Sequence, residues 1–125
     1  MVWPPQVGEL LPRAEEAFGV REKLSAYSLN LGHRRGGAKA WGFAVMLGIT
    51  IESIDYLEDE IRLGIRQHPV KAVTDNRPYG WKCVVEFPVV GYGSYSDRVA
   101  DVRTVWELAA PLLPPRLINA IPRAR

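Results

Sequence analysis

The sequence predicts an α+β domain in which two to three N-terminal helices pack on one face of a C-terminal antiparallel sheet of three to four strands. Three observations support this prediction. Apolar residues recur at helical spacing between residues 21 and 67. After residue 79 they alternate with a period of two, and Gly-rich or Pro-rich turns separate the alternating runs.

The helical half begins after an ambiguous segment, Ala14 to Val20, which fits a short strand or a short helix. A short helix is then predicted from Arg21 to Leu29, and a second from Gly36 or Gly37 to Leu47. Thr50 is a suitable N-cap for a third helix from Ile51 to Gln67, which His68 and Pro69 end. The third helix carries a regular apolar stripe: Ile54, Leu57, Ile61 and Ile65.

The strand half follows a predicted polar loop from Val70 to Pro78. Alternating residues indicate a half-buried strand after Tyr79, with Trp81, Cys83, Val85, Phe87 and Val89 on one face. Turn residues 91–97 lead to a returning strand, Arg98 to Glu107, whose Asp101 and Arg103 should share the solvent face with Lys82 and Glu86. A Pro-rich connection precedes a last strand, Arg116 to Ile121, with Leu117, Asn119 and Ile121 on one side.

Composition limits the class of protein. The chain has 125 residues, 47% of them hydrophobic and 24% charged, so one globular domain is expected. We assign residues 13–122 to this domain, residues 1–12 to an extended lead-in and residues 123–125 to a basic tail. The net charge of +2 neither identifies nor opposes a nucleic-acid binder.

Cysteine and histidine usage and the N-terminus suggest the setting. The lone Cys83 excludes an internal disulfide, and with only two histidines we expect no zinc site, other metal or cofactor. The first residues lack a signal-peptide pattern, and no apolar run is long enough to span a bilayer. We therefore expect a cytoplasmic protein with no membrane partner.

The stretch from Asn30 to Trp41 carries the clearest chemical signal. It combines an ionisable imidazole, a glycine pair at a helix start and three cations: His33, Arg34, Arg35, Gly36, Gly37 and Lys39. Unpaired N–H groups at a helix N-terminus and nearby positive charge predict a phosphate-binding site. The alternative is a turn followed by a polar helix start.

These residues also match the parts of a metal-independent ribonuclease. His33 could act as base or acid, while Lys39, Arg35 and Arg103 could hold the phosphate. Thr104 or Asn119 could supply a neutral hydrogen bond. Aromatic residues could stack on unpaired bases, namely Tyr79, Trp81, Tyr92 and Tyr95. Each of them also has an ordinary structural explanation, such as core packing for Trp81.

An ordered set of blocks resembles an uncharacterised bacterial domain family. Its members occur as small free-standing proteins and at the C-termini of polymorphic and contact-dependent toxins. The blocks are Leu24, Tyr27, Leu29, Asn30, His33, Gly36, Gly37, Lys39, Ala40, Leu47-Gly48, Tyr79-Gly80, Val102 to Trp106 and Pro115 to Ile118. In element order that family is in turn similar to the barnase, colicin and RelE-like toxin ribonucleases.

The resemblance implies a toxin-like ribonuclease, with RNA as substrate and a cognate antitoxin or immunity protein as partner. It carries over His33, Lys39, Arg103 and Thr104 as catalytic positions. This chain departs from the family's pattern at Arg34, usually proline, and at Asn119 and Ile121, usually threonine and tyrosine. If the last strand carries a catalytic hydroxyl, the changes at Asn119 and Ile121 leave this copy weakened or inactive. The alternative is a non-catalytic module that binds RNA, a nucleotide or a protein through the same basic Gly-Gly loop.

Overall fold

The computed structural model describes residues 3–125 and confirms the α+β fold. Three helices precede four strands. The helices are α1 (Val20–Lys23, continued by the π-helical turn Leu24–Ser28), α2 (Gly37–Leu47) and α3 (Ile54–Gln67, entered through the 3-10 turn Ile51–Ser53). The strands are β1 (Ala72–Asp75), β2 (Trp81–Val90), β3 (Val99–Leu108) and β4 (Arg116–Arg123).

The four strands form an antiparallel meander in the order β1-β2-β3-β4. Phe87 pairs with Val102, and Glu86 with Arg103, so the apolar residues of both strands share one face, as predicted. We call this the core face, because its side chains and the helices form one buried cluster. The opposite, charged face is called the outer face.

The strand β1 lies where the sequence predicted only a polar loop. Two of its four residues are polar, and Val73 is the one β-branched apolar side chain that packs against the core. The pairing Val73 with Cys83 shows that β2 supplies the hydrogen-bonding partner. A strand this short is set by its neighbour and not by its own pattern.

The last strand also differs from the prediction. A register shift opposite Val105 and Trp106 pairs Leu117 with Trp106 but Asn119 with Val105. The extra residue of this bulge reverses the alternation. Leu117 therefore lies on the core face, whereas Asn119 and Ile121 lie on the outer face, and the prediction that all three share a side was wrong.

The helices are built as the sequence predicts. The Thr50 side chain accepts a hydrogen bond from the Glu52 N–H at the entry to α3, and the apolar stripe of α3 is buried. Gly42 allows α2 to approach the ring of Pro122 in β4. Among residues 3–125, no single helix is long and apolar enough to cross a bilayer.

The N-terminal segments attach to the domain through backbone hydrogen bonds. Gly8 N donates to Val70 O at 2.9 Å, and Leu11 is buried, while Met1 and Val2 lie outside the described residues. The ambiguous segment forms a 3-10 turn, Ala14–Glu16, and then a single parallel bridge from Phe18 to Arg116. This bridge fixes Phe18 at the start of β4.

Candidate functional site

The His33 imidazole closes the loop before α2. Its Nδ1 accepts two hydrogen bonds, from Arg35 N at 3.0 Å and from Gly36 N at 2.9 Å. The His33 carbonyl also accepts from Gly37 N at 2.9 Å. The side chain thus binds the N–H groups of the two residues before α2, and the His33 carbonyl binds the first N–H group of the helix itself.

This arrangement fixes the tautomer of the ring. Because Nδ1 accepts from two N–H groups, its lone pair is occupied and the ring proton resides on Nε2. A proton on Nδ1 would face two donors. The geometry therefore opposes the predicted acid–base role of His33 and leaves Nε2–H as a fixed hydrogen-bond donor.

The glycine pair serves close packing. A Cβ at Gly36 would overlap the Tyr27 carbonyl, and one at Gly37 would lie 2.9 Å from the Leu31 carbonyl oxygen. The N–H groups of Gly36 and Gly37 are already bonded to His33. Gly36 and Gly37 therefore do not form the predicted phosphate cradle with their N–H groups. They bring α2 against the π-helical turn.

Tyr27 connects the loop to the helices. Its ring meets His33 edge-on, with centroids 4.7 Å apart. Lys39 Nζ donates to the Tyr27 hydroxyl at 2.8 Å and lies 4.4 Å from the ring centroid. Since Lys39 stands in the first turn of α2, where the helix dipole disfavours a cation, the electron-rich Tyr27 offsets that cost.

A cavity of about 360 Å³ opens between α1, the His33 loop and the start of β4. Its polar lining consists of one imidazole, one phenol, two cations and one carboxylate: His33, Tyr27, Lys23, Arg116 and Glu22. The absence of a side chain at Gly19 lets the Arg116 stem pass, since a Cβ there would lie 3.3 Å from Arg116 Cγ. We call this cavity the His33 pocket.

Arg103 and Thr104, predicted to join His33, point to opposite faces of β3. Thr104 is fully buried, and its hydroxyl donates to Val85 O at 2.6 Å and accepts from Trp106 Nε1 at 2.8 Å. It holds the core together and cannot reach a ligand. Arg103 lies on the outer face, away from the helices, so the four predicted catalytic residues do not converge.

The remaining predicted residues are dispersed. Arg34 and Arg35 are exposed on the loop. Tyr79 is 68% exposed, and Trp81 begins β2 with the Arg77 guanidinium 5.5 Å from its ring centroid. Asn119 lies on the outer face, where its Oδ1 is buried without a hydrogen-bond partner among residues 3–125.

The outer face contains a charged cluster of which the sequence analysis assigned only Arg103 to the site. The Glu86 carboxylate pairs with Lys71 at 2.9 Å and with Arg123 at 3.5 Å, and Arg103 stands opposite on β3. The hydrogen bond from Lys71, with these nearby charges, lowers the pKa of Glu86 below its ordinary range. The alternation of the two strands predicted that Glu86 and Arg103 share a face. It could not add Lys71 to them, because Lys71 was assigned to a polar loop.

Within the described residues 3–125, no three His, Cys, Asp or Glu side chains group as metal ligands.

Comparison with known proteins identifies the family but not the activity. Neither the curated proteins nor the solved structures gave a match. One family model, described as "Domain of unknown function (DUF6883)", matches residues 10–124. Because that match spans nearly the whole chain, the protein belongs to this family of uncharacterised domains.

Proposed function

We propose that this protein is an RNA-binding domain that holds an RNA phosphate in the His33 pocket. One observation carries the proposal. The His33 ring lines a cavity with a positive net charge, and its Nδ1 accepts hydrogen bonds from the loop, so Nε2–H is the donor that remains for a ligand. A rigid neutral donor beside cations suits a phosphate oxygen.

The charges of the pocket support the same ligand class. Lys23 and Arg116 contribute two positive charges to the lining against one negative charge from Glu22. Lys39 adds a third cation next to the pocket through its bond to Tyr27. The volume of about 360 Å³ is ample for one phosphate group.

The test compares two substitutions of His33. Asn places an oxygen near the position of Nδ1, so His33→Asn keeps an acceptor for the loop but lacks the Nε2–H donor. Gln extends an amide N–H₂ toward the position of Nε2, so His33→Gln keeps a donor. Fluorescence anisotropy with a labelled single-stranded RNA should show about tenfold weaker binding for His33→Asn and a smaller loss for His33→Gln.

Two charge variants complete this test. Lys23→Gln should weaken RNA binding and reduce the salt dependence of the binding constant by about one phosphate contact. Arg66→Gln, which removes an exposed cation at the end of α3, is the matched control and should bind as the wild type does. Equal RNA binding by wild type and His33→Asn would contradict the proposal.

A second candidate function is metal-independent RNA cleavage by a toxin-like domain, favoured by the cluster on the outer face. Glu86 is an ionised carboxylate able to accept the proton of a 2′-hydroxyl. The 2′-oxygen would then attack phosphorus and the bond to the 5′-oxygen would break, with solvent water donating the proton that the leaving 5′-oxygen takes up. The products would be a 2′,3′-cyclic phosphate and a free 5′-hydroxyl, and the proton on Glu86 would return to solvent. Arg103 and Arg123 would stabilise the charge on phosphorus.

Cleavage of total RNA in EDTA tests this second candidate. Glu86→Gln should abolish cleavage, whereas Asp59→Asn, a carboxylate lost from the exposed face of α3, should leave it unchanged. Cleavage that persists in Glu86→Gln would exclude the outer face as the catalytic centre. Failure of the wild type to cleave RNA leaves the binding function as the account of this domain.

The proposed function also suggests where the domain works and what controls it. RNA as ligand is consistent with action in the cytoplasm, and the buried, unpaired Cys83 requires no oxidising compartment. A toxin-like role would involve a cognate antitoxin or immunity protein. Co-expression of such a protein should block RNA binding if it covers the His33 pocket.

A further inference from the structure

The connection between β3 and β4 exposes apolar side chains where surface loops are usually polar. Residues 109–115 are all alanine, proline or leucine. Leu113 is 53% exposed, and Leu112, at 78%, is the most exposed large apolar side chain in residues 3–125. Leaving such a segment in water is unfavourable, and an exposed apolar patch of this kind marks a contact surface.

A turn presents Leu112 at the tip of this connection. Leu113 N donates to Ala110 O at 3.2 Å, which closes a four-residue turn with Pro111 and Leu112 at its central positions. Proline at the second position of a turn fixes its φ angle in advance. The turn therefore loses little backbone freedom when a partner covers it, and Leu112 is a preorganised protrusion.

A cavity of about 320 Å³ lies beside this turn, and its surface is almost entirely apolar. Its lining consists of four apolar residues and one ion pair: Phe18, Ala109, Leu113, Pro114, Glu107 and Arg116. We call it the Phe18 pocket. An apolar cavity of about half that volume is enough to hold benzene, so an aliphatic side chain fits here.

The aromatic wall of the Phe18 pocket is held in place by the backbone. Phe18 N donates to Pro115 O at 3.0 Å, and Phe18 O accepts from Leu117 N at 3.1 Å. The Phe18 residue is nevertheless 47% exposed. A fixed, open apolar wall gains free energy when an apolar group from outside the chain covers it.

The charges of the Phe18 pocket compensate one another. Arg116 Nη2 lies 3.1 Å from Glu107 Oε1, so the lining carries no net charge. Neither an acidic nor a basic partner is attracted by such a lining. Two copies of it can face each other without repulsion, because the carboxylate of one can pair with the guanidinium of the other.

The protrusion and the cavity belong to one patch of surface. Leu112 is not part of the lining, but its neighbour Leu113 is a wall of the pocket. A two-fold contact uses the same patch on both copies, so a side chain that fills a cavity must stand next to an identical cavity. The turn and the Phe18 pocket meet this condition, which a contact with an unrelated partner does not require.

We propose that residues 110–113 and the Phe18 pocket form the interface of a homodimer, in which Leu112 of each copy inserts into the Phe18 pocket of the other. The contact removes Phe18, Leu112 and Leu113 from water in one step. It goes beyond the proposed function and does not depend on it. Because one turn and one cavity make a small interface, we expect a dissociation constant on the order of 10 µM.

Sedimentation equilibrium between about 1 µM and about 300 µM tests the inference, and the wild type should pass from monomer to dimer. Leu112→Glu should raise the dissociation constant at least a hundredfold, because both copies lose the insertion and would bury a carboxylate. Leu31→Glu is the matched control, since Leu31 is 63% exposed on the loop before α2, and it should dimerise as the wild type does. Both leucines are exposed, so both variants should remain folded, which thermal unfolding checks.

A mixing experiment tests the reciprocal contact itself. Phe18→Lys removes the aromatic wall and should also be monomeric. In an equimolar mixture of Leu112→Glu and Phe18→Lys, one native insertion remains, and the new carboxylate meets the new ammonium at the other. The mixture should therefore form a heterodimer at concentrations at which each variant alone is monomeric.

Four results would overturn the inference. They are a wild type that stays monomeric throughout the range, a dimer that persists in Leu112→Glu, an equal loss of dimer in Leu31→Glu, and a mixture that does not associate. A monomeric wild type that binds the neutral dye N-phenyl-1-naphthylamine, with binding lost in Phe18→Lys, would assign the pocket to a small apolar ligand in place of a second copy.

Discussion

The His33 loop and the outer face of the sheet use polar residues in opposite ways. In the loop, neighbouring residues satisfy one another: the N–H groups of Arg35 and Gly36 bond to His33, and Lys39 bonds to Tyr27. On the outer face, groups from β2, β3, β4 and the segment before β1 meet around Glu86 with cations in excess. Polar residues that are close in sequence, as in the His33 loop, therefore bond mainly to one another. The meander instead brings charges from distant segments onto an exposed face, where a partner can reach them.

The largest loss of stability is expected where a new side-chain atom would disturb the close approach of the loop to the backbone of Tyr27. Gly36→Ala places a Cβ against the Tyr27 carbonyl and should destabilise the domain by about 3 kcal/mol, because backbone atoms cannot yield as a side chain can. Urea unfolding measures the loss. Gly32→Ala is the control: its Cβ would lie 3.5 Å from Asn30 Oδ1, an ordinary contact, so it should unfold as the wild type does.

A stability loss in Gly32→Ala equal to that in Gly36→Ala would show that loop glycines matter only through general flexibility. That result would remove the close packing of Tyr27 against Gly36 as the reason for the glycine pair.

The next effect separates a core residue from a ligand-binding one. Thr104→Val removes the hydroxyl that bonds to Val85 O and Trp106 Nε1, so it leaves a buried indole N–H without a partner. We expect a loss of about 2 kcal/mol in the free energy of unfolding, with RNA affinity unchanged in the folded variant. Thr74→Val, at an exposed position of β1, should cost far less stability. Weakened RNA affinity in folded Thr104→Val would restore the predicted ligand role.

A smaller loss of stability is expected when the Glu86 carboxylate of the outer face is removed, and this loss should depend on pH. The pKa of Glu86 is lowered in the folded state, so its contribution is present above the unfolded pKa, ~4.3, and is lost as pH falls through the folded value. Glu86→Gln should therefore be less stable than the wild type by about 1 kcal/mol at pH 7. The difference should shrink below about pH 4. A pH-independent gap between the two proteins would contradict the ion-pair account.

The last prediction concerns reactivity, at a group that neither region uses and whose loss should not change stability or RNA binding directly. Burial raises the pKa of the Cys83 thiol to about 11, so almost no thiolate exists at pH 8. Iodoacetamide should modify the folded protein about a hundredfold or more slowly than the denatured protein. Rapid alkylation of the folded chain would mean that the core face near Trp106 opens readily.

The sequence predicted the order of the elements because long periodic segments, such as the stripe of α3, carry their own signal. It missed β1, where pairing with β2 decides the structure, and it misplaced Asn119, because a bulge has no reliable signature in a single sequence. For the site, it selected His33 and Lys39. It could not show that His33 Nδ1 accepts from the loop backbone or that Lys39 donates to Tyr27. It also could not place Phe18 and Arg116 side by side, since 97 intervening residues separate them.

The tautomer of His33 tests the central claim most directly. A long-range ¹H–¹⁵N correlation spectrum of the histidine side chains, recorded at pH 7.5 with and without 5′-GMP, reports which ring nitrogen carries the proton. We predict the Nε2–H tautomer in the free protein and a change at Nε2, with Nδ1 unaffected, when the nucleotide is added. A proton on Nδ1 would be incompatible with the hydrogen bonds from Arg35 and Gly36, and it would contradict the account of His33 as a fixed donor in a phosphate pocket.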